Sequence, residues 1–150
     1  MNFKQFTSYS AISLLMSVLG ALAMIVMLSQ SVHAADLTIN ISEVESGKGA
    51  VMVALYAGEA AYKSGKATFV SQVTAVTEKE SVTFKDLVDG EYAVKIYQDE
   101  NSNDALDFNM LGIPKEGYGF SNNVGRFGQP DYKEAKFTVQ ENTVIEMELF

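Results

Sequence analysis

From Asp36 to the C-terminus the apolar residues recur at every second position, in short runs broken by polar turns. That period puts alternate side chains on opposite faces of an extended chain, so each run reads as a strand with one buried side. Residues 36–45 (DLTINISEVE) set Leu37, Ile39 and Ile41 on one face, and Ser46-Gly47-Lys48-Gly49 turns the chain. Residues 50–56 (AVMVALY) are more continuously apolar, as a central strand should be. Residues 57–66 read as a loop or one short helical turn. Residues 68–76 and 81–84 are two more strands, and 91–98 (EYAVKIYQ) another, with Tyr92, Val94 and Ile96 on one side. A long polar, glycine-rich stretch follows over 99–132, and 134–140 with 143–150 reads as a hairpin across Glu141-Asn142. No segment supports a helix of ordinary length. About seven short strands predict an all-β fold: an antiparallel two-sheet β-sandwich, immunoglobulin-like or prealbumin-like, with barrel closure as the alternative.

The first 34 residues have a different character. A polar start carrying Lys4 precedes an uncharged apolar run, residues 11–28, and a polar exit ending Val32-His33-Ala34. This is the layout of a secretory signal peptide, here 1–34, followed by a single domain over 35–150. The apolar run is 18 residues long, near the length that spans a bilayer, so an uncleaved anchor is the competing reading. In either case the domain is expected outside the cytoplasm, periplasmic or secreted. Its location fits the absence of any Cys, which also removes thiolate chemistry, iron–sulfur clusters and a lipid-Cys anchor. The only His, His33, falls in the leader. The domain therefore lacks the usual zinc and copper ligands and the commonest general base. Losing Lys4 with the leader leaves ten basic residues against nineteen acidic, a formal charge of −9. So acidic a surface argues against nucleic acid and anionic lipid as partners, and leaves membrane contact to the leader.

One segment carries a recognisable ligand pattern. Residues 99–107 read DENSNDALD, with Asp99, Asn101 and Asn103 at loop positions 1, 3 and 5 and Asp107 at position 9. Hard oxygens at alternate positions, with the Ala105 carbonyl at position 7, can wrap one Ca²⁺. Leu106 takes the apolar place at position 8. Position 6 is Asp104 rather than Gly, and Asp tolerates the left-handed backbone needed there at some cost. Position 12 is Met110, which has no carboxylate to give; Glu116, Glu100, Asp104 or water would have to supply the oxygen. The other reading is a polar loop held by Asn and Asp side chains bonding their own backbone. A calcium site here would be structural and weak, on the order of 10⁻⁴–10⁻³ M.

Residues 111–123 (LGIPKEGYGFSNN) interleave Tyr118 and Phe120 with glycines. They read either as an aromatic platform for a sugar or peptide, or as a long crossover plugging one end of the sandwich. Arg126 is a candidate anion ligand or a local salt-bridge partner. Upstream, Leu87-x-x-Gly90-x-Tyr92-x-Val94-x-Ile96 has the layout of a tyrosine corner, in which a hydroxyl ties a strand start to the preceding crossover; the other reading is that Tyr92 is simply a core aromatic. The stretch resembles transthyretin-like and Cna-B-like sandwiches.

The wider succession is more specific: Phe84-x-x-Leu87-x-x-Gly90-x-Tyr92-Ala93-Val94, Asp99-Glu100-Asn101-x-Asn103, Leu106-Asp107, then GIPKEGYGFSNN over 112–123. It resembles the bacterial secreted family called domain of unknown function 2141, over roughly the whole domain. Where that family commonly has an Asn-Gly pair this chain has Asn103-Asp104. The resemblance implies export and a β-sandwich and brings no activity with it.

The leading expectation is an exported, non-catalytic β-sandwich module with a binding or structural role in the cell envelope, its partner a protein or polysaccharide. Asp99, Asn101, Asn103, Ala105 and Asp107, with Glu116, form the candidate Ca²⁺ loop, and no other cofactor is expected. Two rivals stand beside it. A carbohydrate-binding module would use Tyr118, Phe120 and Tyr132 in a coplanar exposed row. A carboxylate hydrolase would need two of Asp99, Asp104, Asp107 and Glu116 about 5–9 Å apart in a cleft.

Overall fold

The computed structural model describes residues 34–150. The expected leader, all but Ala34, lies outside them. Eight strands form two sheets. The first sheet holds β1 (Ala34–Ser42), β4 (Lys79–Val88) and β8 (Thr143–Glu148), in the order β4-β1-β8. The second runs β3 (Phe69–Thr74), β2 (Ala50–Ala57), β5 (Gly90–Asp99), with β5 then bordered by both β6 (Tyr118–Phe120) and β7 (Phe137–Val139). Two short helices follow the strand logic rather than interrupt it: α1 (Gly58–Ser64), closed by Gly65 in the left-handed conformation, and α2 (Tyr132–Ala135), opened by an Asp131–Glu134 capping box.

The alternation read from the sequence is what builds the core. Leu37, Ile39 and Ile41 of β1 face Val51, Val53 and Leu55 of β2 and Tyr92, Val94 and Ile96 of β5, all nearly inaccessible. Each such side chain contributes about 1.5–3 kcal/mol by leaving water. Because the period is two, the partners of these residues point the other way. Ala54, Tyr56, Ala93, Lys95 and Tyr97 form the outer face of the five-stranded sheet, where Ala54 pairs with Lys95 and Lys95 with Phe120. The helices cover one half of that face through a second small cluster, Tyr56, Tyr62, Ala93, Tyr132 and Ala135. The crossover between β5 and β7 lies over the other half.

Three expectations need correction. The terminal pair is not a hairpin: β7 joins β5, while β8 crosses to the other sheet and pairs with β1. Each strand takes the open edge of another strand instead of its neighbour, and the Asn142 side chain ties down the crossing by accepting the Asp36 N–H at 2.9 Å. The sandwich is consequently not purely antiparallel, since β1 and β8 run parallel. A strand within the glycine-rich stretch, β6, was hidden by Gly119, which weakens any strand reading. That glycine is there for space: a Cβ on it would come within 2.5 Å of the Glu148 carbonyl oxygen and 3.2 Å of the Ile96 side chain.

Candidate functional site

The loop leaving β5 is organised around two buried carboxylates. Asp99, 3% exposed, accepts the backbone N–H groups of Asn103 at 3.1 Å and Asp104 at 2.8 Å. Glu116, 7% exposed, accepts those of Glu100 at 3.0 Å and Asp107 at 2.9 Å. The two carboxylates thus gather four otherwise unpaired amides and close the loop at its base. Above them, Asn101 and Asn103 donate side-chain amides to the two oxygens of Asp107, at 2.6 and 3.3 Å, and Asn103 Oδ1 accepts the Ala105 N–H. Asp104 takes the left-handed conformation, φ 60°, that position 6 of the pattern requires. The structure therefore brings Asp99, Asn101, Asn103, Asp107 and Glu116 into one network with Ala105 on its path. Met110 is fully exposed at the tip of the next turn. Among the described residues no three His, Cys, Asp or Glu side chains are grouped so as to hold a metal ion. Oxygens for one would have to come largely from the two Asn side chains and the Ala105 carbonyl, with Asn101 and Asn103 turned over.

Beyond Asp107 the chain makes an apolar finger. Phe108 and Pro114 bridge, and the Asn109 side chain accepts the N–H groups of Leu111 and Ile113 to fold the tip. Phe108, Met110, Leu111 and Ile113 are all exposed. The finger, the outer face of the sheet and the segment 126–129 enclose a cleft of about 610 Å³. Its walls are chiefly apolar, including Tyr97, Leu106, Ile113, Pro114 and Phe127. A volume of this size suits a small organic ligand.

Lys95 reaches this cleft from the middle of β5. It is half-buried, its ammonium 4.3 Å from the centre of the Tyr62 ring and 4.9 Å from that of Tyr56, and it donates to Gln129 Oε1 at 2.9 Å. Burial pushes its pKa below the ordinary lysine value. Burial likewise pushes the Tyr62 phenol up to about 12, assisted by Tyr56, Asp131 and Glu134. Arg126 stands on the same cleft with its guanidinium 5.1 Å from the Phe150 ring centre.

The aromatic side chains expected to form a coplanar platform do not do so. Tyr118 and Phe120 meet edge to face at 76°, Phe120 is 8% exposed, and Tyr132 is buried against Tyr62. Tyr118 instead donates its hydroxyl to the Arg126 carbonyl at 2.7 Å, and so shapes the cleft rim. The remainder of the glycine–aromatic motif is architecture. Buried Ser121 accepts the Val94 N–H and donates to the Ala135 carbonyl; Asn122 donates to Glu134 and Lys136; Asn123 accepts the Glu148 N–H. Asn122 and Asn123 both have positive φ, which Asn accepts more readily than most residues.

The cleft residues Lys95, Phe108, Ile113, Phe127 and Gln129 were not singled out in the sequence. Two signals were present there: a lone cation in an otherwise apolar central strand, and the apolar run FNMLGI inside a polar loop.

A family model described as uncharacterized protein conserved in bacteria (DUF2141) matches residues 39–146, from within β1 to within β8. No similar curated protein and no similar solved structure was found.

Proposed function

This chain belongs to the DUF2141 family of bacterial proteins, and on that premise we propose that it is an exported, non-catalytic binding module of the cell envelope. The observation that supports the reading is the cleft between the outer face of the five-stranded sheet and the Phe108–Ile113 finger. An outer sheet face in a sandwich is ordinarily polar and wet. Here it is overlaid by a loop that keeps apolar side chains exposed beside a cavity, as a binding surface does. The Asp99 and Glu116 carboxylates are occupied with backbone amides that hold this loop, which suits them to support rather than to acid–base work.

In the same reading the Asp99–Asp107 loop takes a weak structural Ca²⁺. Its support is the winding of the loop, with Asp104 left-handed at position 6. The ion would stiffen the base of the finger and carry no chemistry.

The test is binding of the uncharged fluorophore N-phenyl-1-naphthylamine, which brightens in apolar surroundings, to the purified protein. A saturable one-site signal, lost in Phe108→Glu and Ile113→Glu, is expected; both side chains are exposed, so the fold should survive. A signal that does not saturate, or that both variants retain, would overturn the reading.

A further inference from the structure

The cleft is electrically unlike the domain around it. Acidic residues outnumber basic ones in the chain nineteen to eleven. Yet no Asp or Glu lines this cleft, and the two charged residues that do, Lys95 and Arg126, are both cations. Neither has a carboxylate within salt-bridge distance among the described residues, whereas Lys63 and Lys136 each have one and Lys48 has two.

Lys95 is the sharper case. Its ammonium sits among Tyr rings with one oxygen partner, the Gln129 amide, for three N–H donors. A half-buried cation without a counter-charge has lost hydration, and the two Tyr faces and one amide oxygen return only part of it. Its desolvation shows in the downward displacement of its pKa. An anion entering the cleft would restore the missing partner.

From this juxtaposition we propose, resting on the binding-module reading above, that the ligand is a single-chain amphiphile with an anionic head, of the fatty-acid class. The head meets the Lys95 ammonium, Arg126 at the rim draws it in, and the aliphatic tail lies along Leu106, Ile113, Pro114 and Phe127. A linear chain suits a cleft walled by an extended finger, and the ammonium, a compact point charge with three donors, can meet one carboxylate. Such a ligand has an apolar body for the walls and one negative charge for the cations, and needs no other polar partner.

The experiment is displacement of N-phenyl-1-naphthylamine by dodecanoate, dodecanol and dodecyltrimethylammonium at monomeric concentrations. Dodecanoate should compete about tenfold or more better than dodecanol, the scale of one charge-assisted hydrogen bond, and the ammonium amphiphile should compete worst. Lys95→Met should reduce the dodecanoate preference to within about threefold of dodecanol, both measured against the variant's own fluorophore affinity, and Lys95→Arg should restore it. Arg126→Gln, at an exposed position, should weaken dodecanoate binding and flatten its salt dependence; it serves as the second probe if Lys95→Met does not fold. Equal competition by all three amphiphiles overturns the anionic preference while leaving the module reading intact. Failure of the fluorophore itself to bind strikes the module reading instead. Binding to phosphatidylglycerol vesicles without binding of monomeric dodecanoate would overturn the proposal in favour of membrane contact through Met110 and Leu111.

Discussion

The Tyr92 hydroxyl donates to the carbonyl of Val88, four residues back along the chain, at 2.8 Å. This contact closes the turn between β4 and β5 and so joins the two sheets: Val88 ends a strand of one, and Tyr92 is the third residue of a strand of the other. It is the tyrosine-corner arrangement, and the ring below it is 2% exposed.

Tyr92→Phe keeps the ring and removes the bond. The Val88 carbonyl then loses its partner at a partly buried site, and the cost should be about 1 kcal/mol. Urea unfolding should show a lower midpoint with an unchanged slope. An unchanged midpoint would mean the corner is held by packing alone.

Millimolar Ca²⁺ should raise the thermal midpoint by several degrees, an effect that Mg²⁺ does not reproduce and a chelator removes. Asp99→Ala, which releases the Asn103 and Asp104 backbone that winds the loop, should abolish the response. Its baseline midpoint should also fall, since the N–H groups of Asn103 and Asp104 lose their acceptor. If the midpoint of the intact protein ignores Ca²⁺ throughout the millimolar range, the loop is held by its own hydrogen bonds and the ion is to be discarded.

The alkaline limb of stability should carry a tyrosine signature. Tyr62 is neutral in the folded protein up to about pH 12, against about 10 in the unfolded chain. A raised native pKa favours folding fully below pH 10, and that contribution drains away as the pH climbs from 10 toward 12, by about 2–3 kcal/mol at most. Tyr56, Tyr92, Tyr97 and Tyr132 are displaced the same way by burial, so they steepen the limb. Stability measured by urea unfolding between about pH 9.5 and pH 11.5 should fall less for Tyr62→Phe than for the parent. Parallel curves would show that Tyr62 ionises normally.

Gly119→Ala should destabilise the domain by about 1–3 kcal/mol, the range of overpacking, because its methyl would press on the Glu148 carbonyl and on Ile96. The displaced β6 should carry Tyr118 away from the Arg126 carbonyl and loosen the cleft rim. Naphthylamine affinity should therefore drop together with the midpoint. A variant as stable as its parent would show that β6 shifts freely over β8.

How far the sequence reaches can be judged element by element. The alternation in β1, β2 and β5 is a local property, because a period of two assigns each side chain to a face without knowledge of the partner strand. Leu37, Ile39, Ile41, Tyr92, Val94 and Ile96 were legible for that reason, as were the tyrosine corner and the short turn at 57–66. The winding of the Asp99 loop was also legible, since Asn and Asp direct their own nearby backbone. Glu116 was expected only as one possible oxygen donor. Its actual partners, the N–H groups of Glu100 and Asp107, lie 16 and 9 residues back, and only the folded crossover brings them to it.

Strand partnership was decided at long range. Nothing local in residues 134–150 tells that β7 will take the open edge of β5 and β8 the open edge of β1. Those edges exist only after the sheets have formed. The cleft has the same origin. Lys95 faces outward by strand parity, which the sequence fixes on its own; the finger that lays apolar side chains over it, and leaves its ammonium half out of water without a counter-ion, is a product of the tertiary structure.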